Sequence, residues 1–151
     1  MKTKIGILFS VLVLTFSACS DDKVKSNKFT LQASNNMYVV INSDSLLVAT
    51  EPTAAKAEIF EKEKQPNGKW ALKTSKGKYI CDERNNDALH ANRSSVGDWE
   101  QFEIIRIEPT KINIKSSQGK FVCTDQGTPS NKLIANRDAA GEWESFIIEK
   151  K

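Results

Sequence analysis

Two stretches of this chain carry the same four residue types in the same order. Asn92, Arg93, Trp99 and Glu100 recur as Asn136, Arg137, Trp143 and Glu144. An indole face stacks on the apolar face of a pyranose, and Asn, Arg and Glu offer the hydrogen bonds that fix a sugar's orientation. Read as chemistry, the pattern predicts two related carbohydrate sites. Read as structure, Asn and Arg end a strand and satisfy the loop that follows, Trp joins Phe in sealing the base of a barrel, and Glu pairs with Arg in its own copy. Catalysis has much less to stand on. The sole histidine, His90, lies between Leu89 and Ala91 with no Ser or Cys partner at motif spacing. Paired acids such as Asp98 and Glu100 occur in any soluble protein, and no Gly-rich phosphate cradle is present. One histidine and no Cys-x-x-Cys pair leave a metal site without ligands. The expectation is a non-catalytic protein with no cofactor and no metal.

The elements that position these residues are themselves repeated. A Gly-Lys-aromatic turn (Gly77, Lys78, Tyr79; Gly119, Lys120, Phe121) leads to a cysteine (Cys81; Cys123), then to Leu-x-Ala-Asn-Arg, beginning at Leu89 and at Leu133. The unit closes on Trp-Glu-x-Phe, ending at Phe102 and Phe146. Gly77 and Gly119 lie 42 residues apart and Phe102 and Phe146 lie 44 apart, so the loop before Leu133 is two residues longer. A fixed period of this size marks a repeat architecture. A worn third copy precedes these two. Asn36 stands where the others have Gly, and Asn is the residue that best replaces Gly in a left-handed turn. Tyr38, Leu47, Ala49, Glu58 and Phe60 match their counterparts, while Thr50 and Glu51 replace Asn-Arg and Ala57 replaces the tryptophan.

Each copy holds four short strand-like runs, in the second copy 70–74, 79–82, 88–92 and 99–105. Gly, Asn, Asp, Ser and Lys clusters separate them and supply turn chemistry, with Asn85, Asn86 and Asp87 forming a hairpin. In the fourth run Trp99, Phe102 and Ile104 are apolar among Glu100, Gln101 and Glu103, with a phase slip that suggests a bulge. No segment sustains a 3.6-residue period; residues 54–60 come nearest, as a short helical turn. One copy cannot bury its own apolar face, whereas three packed around an axis can, and closure removes free sheet edges. The predicted fold is therefore all-β: a β-trefoil of twelve strands, six in a barrel and six in three hairpins capping one end. A seven-stranded sandwich does not explain a threefold repeat, and a propeller needs at least four blades. The trefoil is expected over residues 28–151, with repeats at about 28–66, 67–108 and 109–151.

The amino terminus reads as targeting. Lys2 and Lys4 form a charged n-region, and the apolar run 5–16 is too short to span a bilayer as a stable helix. Phe16, Ser17, Ala18 and Cys19 resemble the lipobox of bacterial lipoproteins. That resemblance implies a signal peptide over residues 1–18, cleavage before Cys19, and acylation of its thiol and new amino group. Multiple acyl chains anchor firmly, since each buried methylene adds roughly 0.8 kcal/mol. Ser20, Asp21 and Asp22 resemble the surface-export signal of Bacteroidota lipoproteins, and residues 19–27 have the composition of a solvated polar tether. The implied location is the outer membrane, facing outward, with the periplasmic face as the alternative.

The chain has 22 Lys and Arg against 19 Asp and Glu, a net +3; without Lys2 and Lys4 it has 20 against 19, or +1. A near-neutral domain has no broad electrostatic reason to bind nucleic acid or anionic lipid. Cys81 and Cys123 occupy equivalent positions in an exported protein. They either form a disulfide or pack as two small apolar groups.

Taken together, Leu-x-x-x-x-Gly-Lys-Tyr-Ile-Cys, Leu-x-Ala-Asn-Arg and Trp-Glu-x-Phe resemble the fascin-like branch of the β-trefoil proteins across most of residues 28–150. The ricin-type lectin branch usually shows Gln-x-Trp near the end of each copy, where this chain has Trp-Glu-x-Phe. The resemblance implies a non-catalytic module. Eukaryotic fascins bundle actin; bacterial relatives accompany carbohydrate-active enzymes or stand alone on lipoproteins. Two functions follow as expectations: a surface-anchored glycan-binding module, or a protein-interaction module (adhesin, inhibitor or accessory subunit of an envelope complex) using the longer loop 125–132. Glycan binding requires an exposed Trp99 or Trp143 beside a shallow pocket.

Overall fold

The computed structural model describes residues 26–84, 88–127 and 129–151. Residues 1–25, where the leader, Cys19 and most of the tether are expected, the expected hairpin residues Asn85, Asn86 and Asp87, and Thr128 lie outside the described residues. Twelve strands fall into three sets of four. The first set is β1 (Lys28–Gln32), β2 (Tyr38–Ile41), β3 (Leu47–Glu51) and β4 (Phe60–Lys64). The second is β5 (Trp70–Lys73), β6 (Tyr79–Cys81), β7 (His90–Arg93) and β8 (Gln101–Glu108). The third is β9 (Lys111–Lys115), β10 (Phe121–Asp125), β11 (Lys132–Arg137) and β12 (Ser145–Lys150).

The outer strand of each set meets its neighbours all the way round. β1 pairs with β4, β4 with β5, β5 with β8, β8 with β9, β9 with β12, and β12 with β1, every pair antiparallel. These six strands close a barrel with no free edge. The inner strands form three hairpins, β2–β3, β6–β7 and β10–β11. The hairpins meet one another at one end of the barrel: Lys132 pairs with Val48, Leu46 with His90, and Ala88 with Ile134. Backbone bonds stitch this cap together, with the Leu47 N–H donating to the Leu89 carbonyl at 3.0 Å and the Leu89 N–H to the Leu133 carbonyl at 2.8 Å. This is the β-trefoil that the repeat predicts.

The repeated residues are its frame. Phe60, Phe102 and Phe146 are fully buried in one core, joined by Leu47, Leu89 and Leu133, by Val39, Ile80 and Val122, and by Ala49, Ala91 and Ala135. The turn between the first two strands of each set is the same three times. Asn36, Gly77 and Gly119 sit at φ 63°, 75° and 78°, each with its N–H bonded to the carbonyl three residues back. That is the left-handed region where an L side chain is costly and Asn least so, so the worn copy keeps the turn geometry without its glycine. A register shift follows at each aromatic that leaves this turn, between Tyr38 and Val39, Tyr79 and Ile80, and Phe121 and Val122.

The run 99–105 is not one bulged strand. A 3-10 turn at Asp98–Glu100 comes first and β8 begins at Gln101. Trp99 and Phe102 are three apart, a spacing that puts two residues on opposite faces of a strand but that a tight turn accommodates. The phase slip in the sequence is this turn. In the first set a 3-10 turn at Ala54–Lys56 lies two residues ahead of the equivalent place, within the expected 54–60 segment.

Truncating one of the three equivalent phenylalanines removes a fully buried ring from a core all repeats share. Phe102→Ala is expected to cost about 3–5 kcal/mol, read as a lower urea midpoint in a single transition. A loss below about 1 kcal/mol would contradict the shared core.

Candidate functional site

Each Trp-Glu turn is held by the glutamate. The Gly97 N–H donates to Glu100 Oε2 at 2.7 Å, and the Gly141 N–H donates to Glu144 Oε2 at the same distance. Both carboxylates are buried, and each turns its other oxygen toward the arginine of its own copy: Arg93 Nε lies 3.6 Å from Glu100 Oε1, and Arg137 Nε 3.7 Å from Glu144 Oε1. The Arg–Glu pairing expected within each copy is present twice in nearly the same geometry. The tryptophan backbone is tied down as well, since the Trp99 carbonyl accepts from the Asp82 N–H at 3.0 Å and the Trp143 carbonyl from the Thr124 N–H at 3.2 Å.

With backbone and glutamate fixed, the indoles point away from the core. Trp99 is 40% exposed and Trp143 48% exposed. They do not seal the barrel base with Phe102 and Phe146, because the turn separates each indole from the strand that carries its phenylalanine. Trp99 borders a shallow open depression together with Arg93, Val96, Asp98 and Glu100. The Arg84 guanidinium lies 5.6 Å from the Trp99 ring centre, within cation–π range.

Asn92 and Asn136 stand at exposed positions beside the arginines that end β7 and β11, as expected, and each also meets a buried thiol. The Cys81 thiol donates to Asn92 Oδ1 at 3.5 Å and the Cys123 thiol to Asn136 Oδ1 at 3.4 Å. Both cysteines are buried and free, each turned to the asparagine of its own copy. Burial pushes the Cys81 thiol up to about 11, against a smaller downward pull from Arg93. Burial likewise raises Cys123, with Arg137 opposing. Neither thiol is an activated nucleophile. Of the four residue types, then, Asn supports the thiol, Glu holds the turn and orients Arg, and Trp and Arg present faces to solvent.

Two neighbours went unread in the sequence. Glu83 accepts from Arg93 Nη2 at 2.9 Å and from Asn92 Nδ2 at 3.3 Å, so Arg93 carries two carboxylates. Asp125 stands at the same place in the third set, and an acid two residues after each cysteine was the available signal. There the Asp125 side chain accepts from the Gly127 N–H at 3.1 Å, which shapes the start of the longer loop. Arg84 has no counterpart in the other copies, so nothing in the repeat marked it. His90 lies in the hairpin cap with a buried Nε2 that has no partner among the described residues. Among those residues no group of three His, Cys, Asp or Glu side chains is placed to hold a metal ion, and no helix is long and apolar enough to cross a membrane.

A fascin-domain family profile matches residues 7–104, and a profile for a domain of unknown function (DUF7910) matches residues 71–151. No curated protein matches the chain by sequence. Among solved structures, the designed 3-fold symmetric protein ThreeFoil aligns with a TM-score of 0.69 at 12% identity, covering 83% of this chain and 99% of that one. Lysenin in complex with phosphocholine aligns at 0.64 and 14% identity over 83% of this chain and 44% of lysenin, so this chain spans less than half of that protein. A salivary protein of the cysteine and tryptophan-rich family from Culex quiquefasciatus aligns at 0.65 and 12% identity, covering 83% and 94%. At these identities the likeness is one of fold.

The buried thiols give a direct check. At pH 8 a thiol near 11 holds on the order of one thiolate in a thousand. Because its folded value lies above the ordinary 9.0, the fold favours the protonated thiol; this contribution is complete below about pH 9 and lost as pH rises through 11. Ellman's reagent at pH 8, read by peptide mass spectrometry, is expected to leave Cys81 and Cys123 unmodified in native protein and to modify both in guanidinium. Rapid modification of the native protein would contradict the geometry.

Proposed function

The chain belongs to the fascin-domain family, and from that premise we propose that it is a non-catalytic carbohydrate-binding module carried on a cell-envelope lipoprotein. The observation that carries the reading is the pair of exposed indoles, Trp99 and Trp143, each next in sequence to a buried glutamate that pairs with the arginine of its own copy. An aromatic plane for the apolar face of a sugar ring and a planar donor fork for its hydroxyls are the two things a shallow glycan site needs. Solvent-exposed tryptophan is costly as framework, and the two copies keep it in matching settings. Trp143 is the more open of the two indoles, whereas one side of Trp99 carries the Arg84 guanidinium.

The β-trefoil is a fold used widely for binding. Lysenin's complex with phosphocholine is an instance of a ligand on a protein that contains this fold, and it supports a binding role here without naming the ligand. The second reading, a protein-interaction module, rests on the longer loop 125–132. Its start is ordered by the Asp125–Gly127 bond, and the Gln126 Nε2 donates to Ser34 Oγ at 3.1 Å. A surface loop whose start is tied to another repeat is a feature of the kind that partners recognise.

Attachment to the membrane is part of the proposal. It rests on Cys19 following Phe16, Ser17 and Ala18 after an apolar run, and on Ser20 with the acidic Asp21 and Asp22. Outer-membrane location, outward facing, follows from the same residues.

Two experiments separate the parts. A glycan array probed with the 28–151 fragment is expected to show binding that Trp143→Ala reduces at least tenfold while the circular dichroism spectrum is unchanged. A blank array would sink the sugar reading and favour a protein partner. In cells, Cys19→Ala is expected to abolish labelling by radioactive palmitate and release the protein from the membrane fraction; persistent labelling would remove the lipoprotein assignment.

A further inference from the structure

The end of the barrel opposite the hairpin cap carries charge where its interior should be apolar. Strand alternation places Phe60, Phe102 and Phe146 toward the axis. Two residues on, the inward positions are Lys62, Ile104 and Ile148; two further, they are Lys64, Arg106 and Lys150. Alternation alone therefore aims one cation from each repeat at the barrel mouth, and Lys62 adds a fourth where the other repeats have isoleucine.

Lys62, Arg106 and Lys150 converge at that mouth, whereas Lys64 is not among its lining residues. Lys28, Lys62, Arg106 and Lys150 line a depression of about 160 Å³ whose floor is Phe29, Ile104, Ile112 and Ile148. No carboxylate lines it. None of the four cations belongs to an ion pair among the described residues. Arg106 Nη1 donates to the Pro109 carbonyl, which fixes the guanidinium at the strand end. The Lys62 and Lys64 ammonium groups each lie 4.5 Å from the Trp70 ring centre, a contact that holds them without neutralising them. Burial, together with Arg106, Lys150 and Lys64, lowers the Lys62 ammonium below its ordinary value, so the repulsion among these groups stands unrelieved.

We propose that the barrel mouth is a binding site for a phosphate-headed amphiphile, with the phosphate among Lys62, Arg106 and Lys150 and the first carbons of its stem on Phe29, Ile112 and Ile148. Three cations on three different strands match an anion that presents three oxygens, and Arg favours phosphate geometry in particular. The volume is below the roughly 300–1,000 Å³ of a pocket for a whole drug-sized ligand, which suits a headgroup and not a complete molecule. An apolar floor under a cationic rim excludes inorganic phosphate as the best fit, since the isoleucines would stay wetted. The cations also disfavour a zwitterionic head, whose quaternary ammonium they repel.

Nuclear magnetic resonance shift mapping of the purified wild-type protein tests this without any variant. Dihexanoyl phosphatidic acid is expected to shift amides at the ends of β1, β4, β8 and β12, and dihexanoyl phosphatidylcholine to bind at least tenfold more weakly. Lys150→Glu, at an exposed strand end, and Arg106→Gln are each expected to weaken phosphatidic acid binding at least tenfold, and added salt to weaken it further. Flotation with vesicles containing phosphatidic acid distinguishes the sources. Binding to both short-chain lipid and vesicles identifies a bilayer headgroup; binding to the short-chain lipid alone identifies a dispersed phosphate ester. Absence of shifts at the mouth, or an affinity that both variants leave unchanged, would overturn the proposal.

Discussion

A repeat of about 42 residues folds into four short strands with one apolar face and has nothing of its own to cover it. Closing three such units on a common axis covers all three faces at once. Phe60, Phe102 and Phe146 are the residues through which this happens, each wholly buried and each supplied by a different repeat. The ring of pairings from β1 through β12 and back depends on that shared interior, and so does the cap, where Leu47, Leu89 and Leu133 meet across hairpin boundaries. Removing any one ring leaves a cavity in the core that the three repeats share.

Once the interior is closed, the residues that remain on the outside are free to differ in role. The Trp-Glu turn illustrates this. Its glutamate satisfies a backbone N–H and orients an arginine, its carbonyl ties the turn to the preceding hairpin, and its indole is left in solvent. The opposite end of the barrel shows the same economy in another form, with strand positions that continue the inward phase beyond the core and carry cations there. Ser26 and Asn27, which lead into β1, are among the residues lining that mouth. Two surfaces with different chemistry, aromatic and hydrogen-bonding on one side, cationic over an apolar floor on the other, thus sit on a single frame.

Much of the fold was legible because period and turn chemistry agree. The spacing of Gly77 and Gly119, and Asn36 in the place of a third glycine, marked the same left-handed turn that the backbone adopts. The strand positions followed from alternation between those turns. The Trp-Glu-x-Phe segment was harder, because a 3-10 turn running into a strand and a bulged strand leave the same slip in the pattern. For that reason the indoles read as core: a tryptophan three residues from a buried phenylalanine is apolar sequence in either case, and only the turn decides which way it faces. The asparagines' contact with the thiols left no signal for a related reason. Their thiol partners, Cys81 and Cys123, lie eleven and thirteen residues away, across a hairpin. Lys62, Arg106 and Lys150 resembled ordinary polar strand positions, and only counting in twos from the three phenylalanines reveals that they face the axis.

The central claim is that three repeats stabilise one another as a single unit, and native-state hydrogen exchange measures this most directly. The Leu47 and Leu89 amides bond to carbonyls of neighbouring repeats, so their opening requires the repeats to separate. The account predicts that these amides and the most protected barrel amides of all three sets exchange with one common free energy, equal to that of global unfolding. Three groups of amides, one per repeat, exchanging with distinct free energies would contradict it.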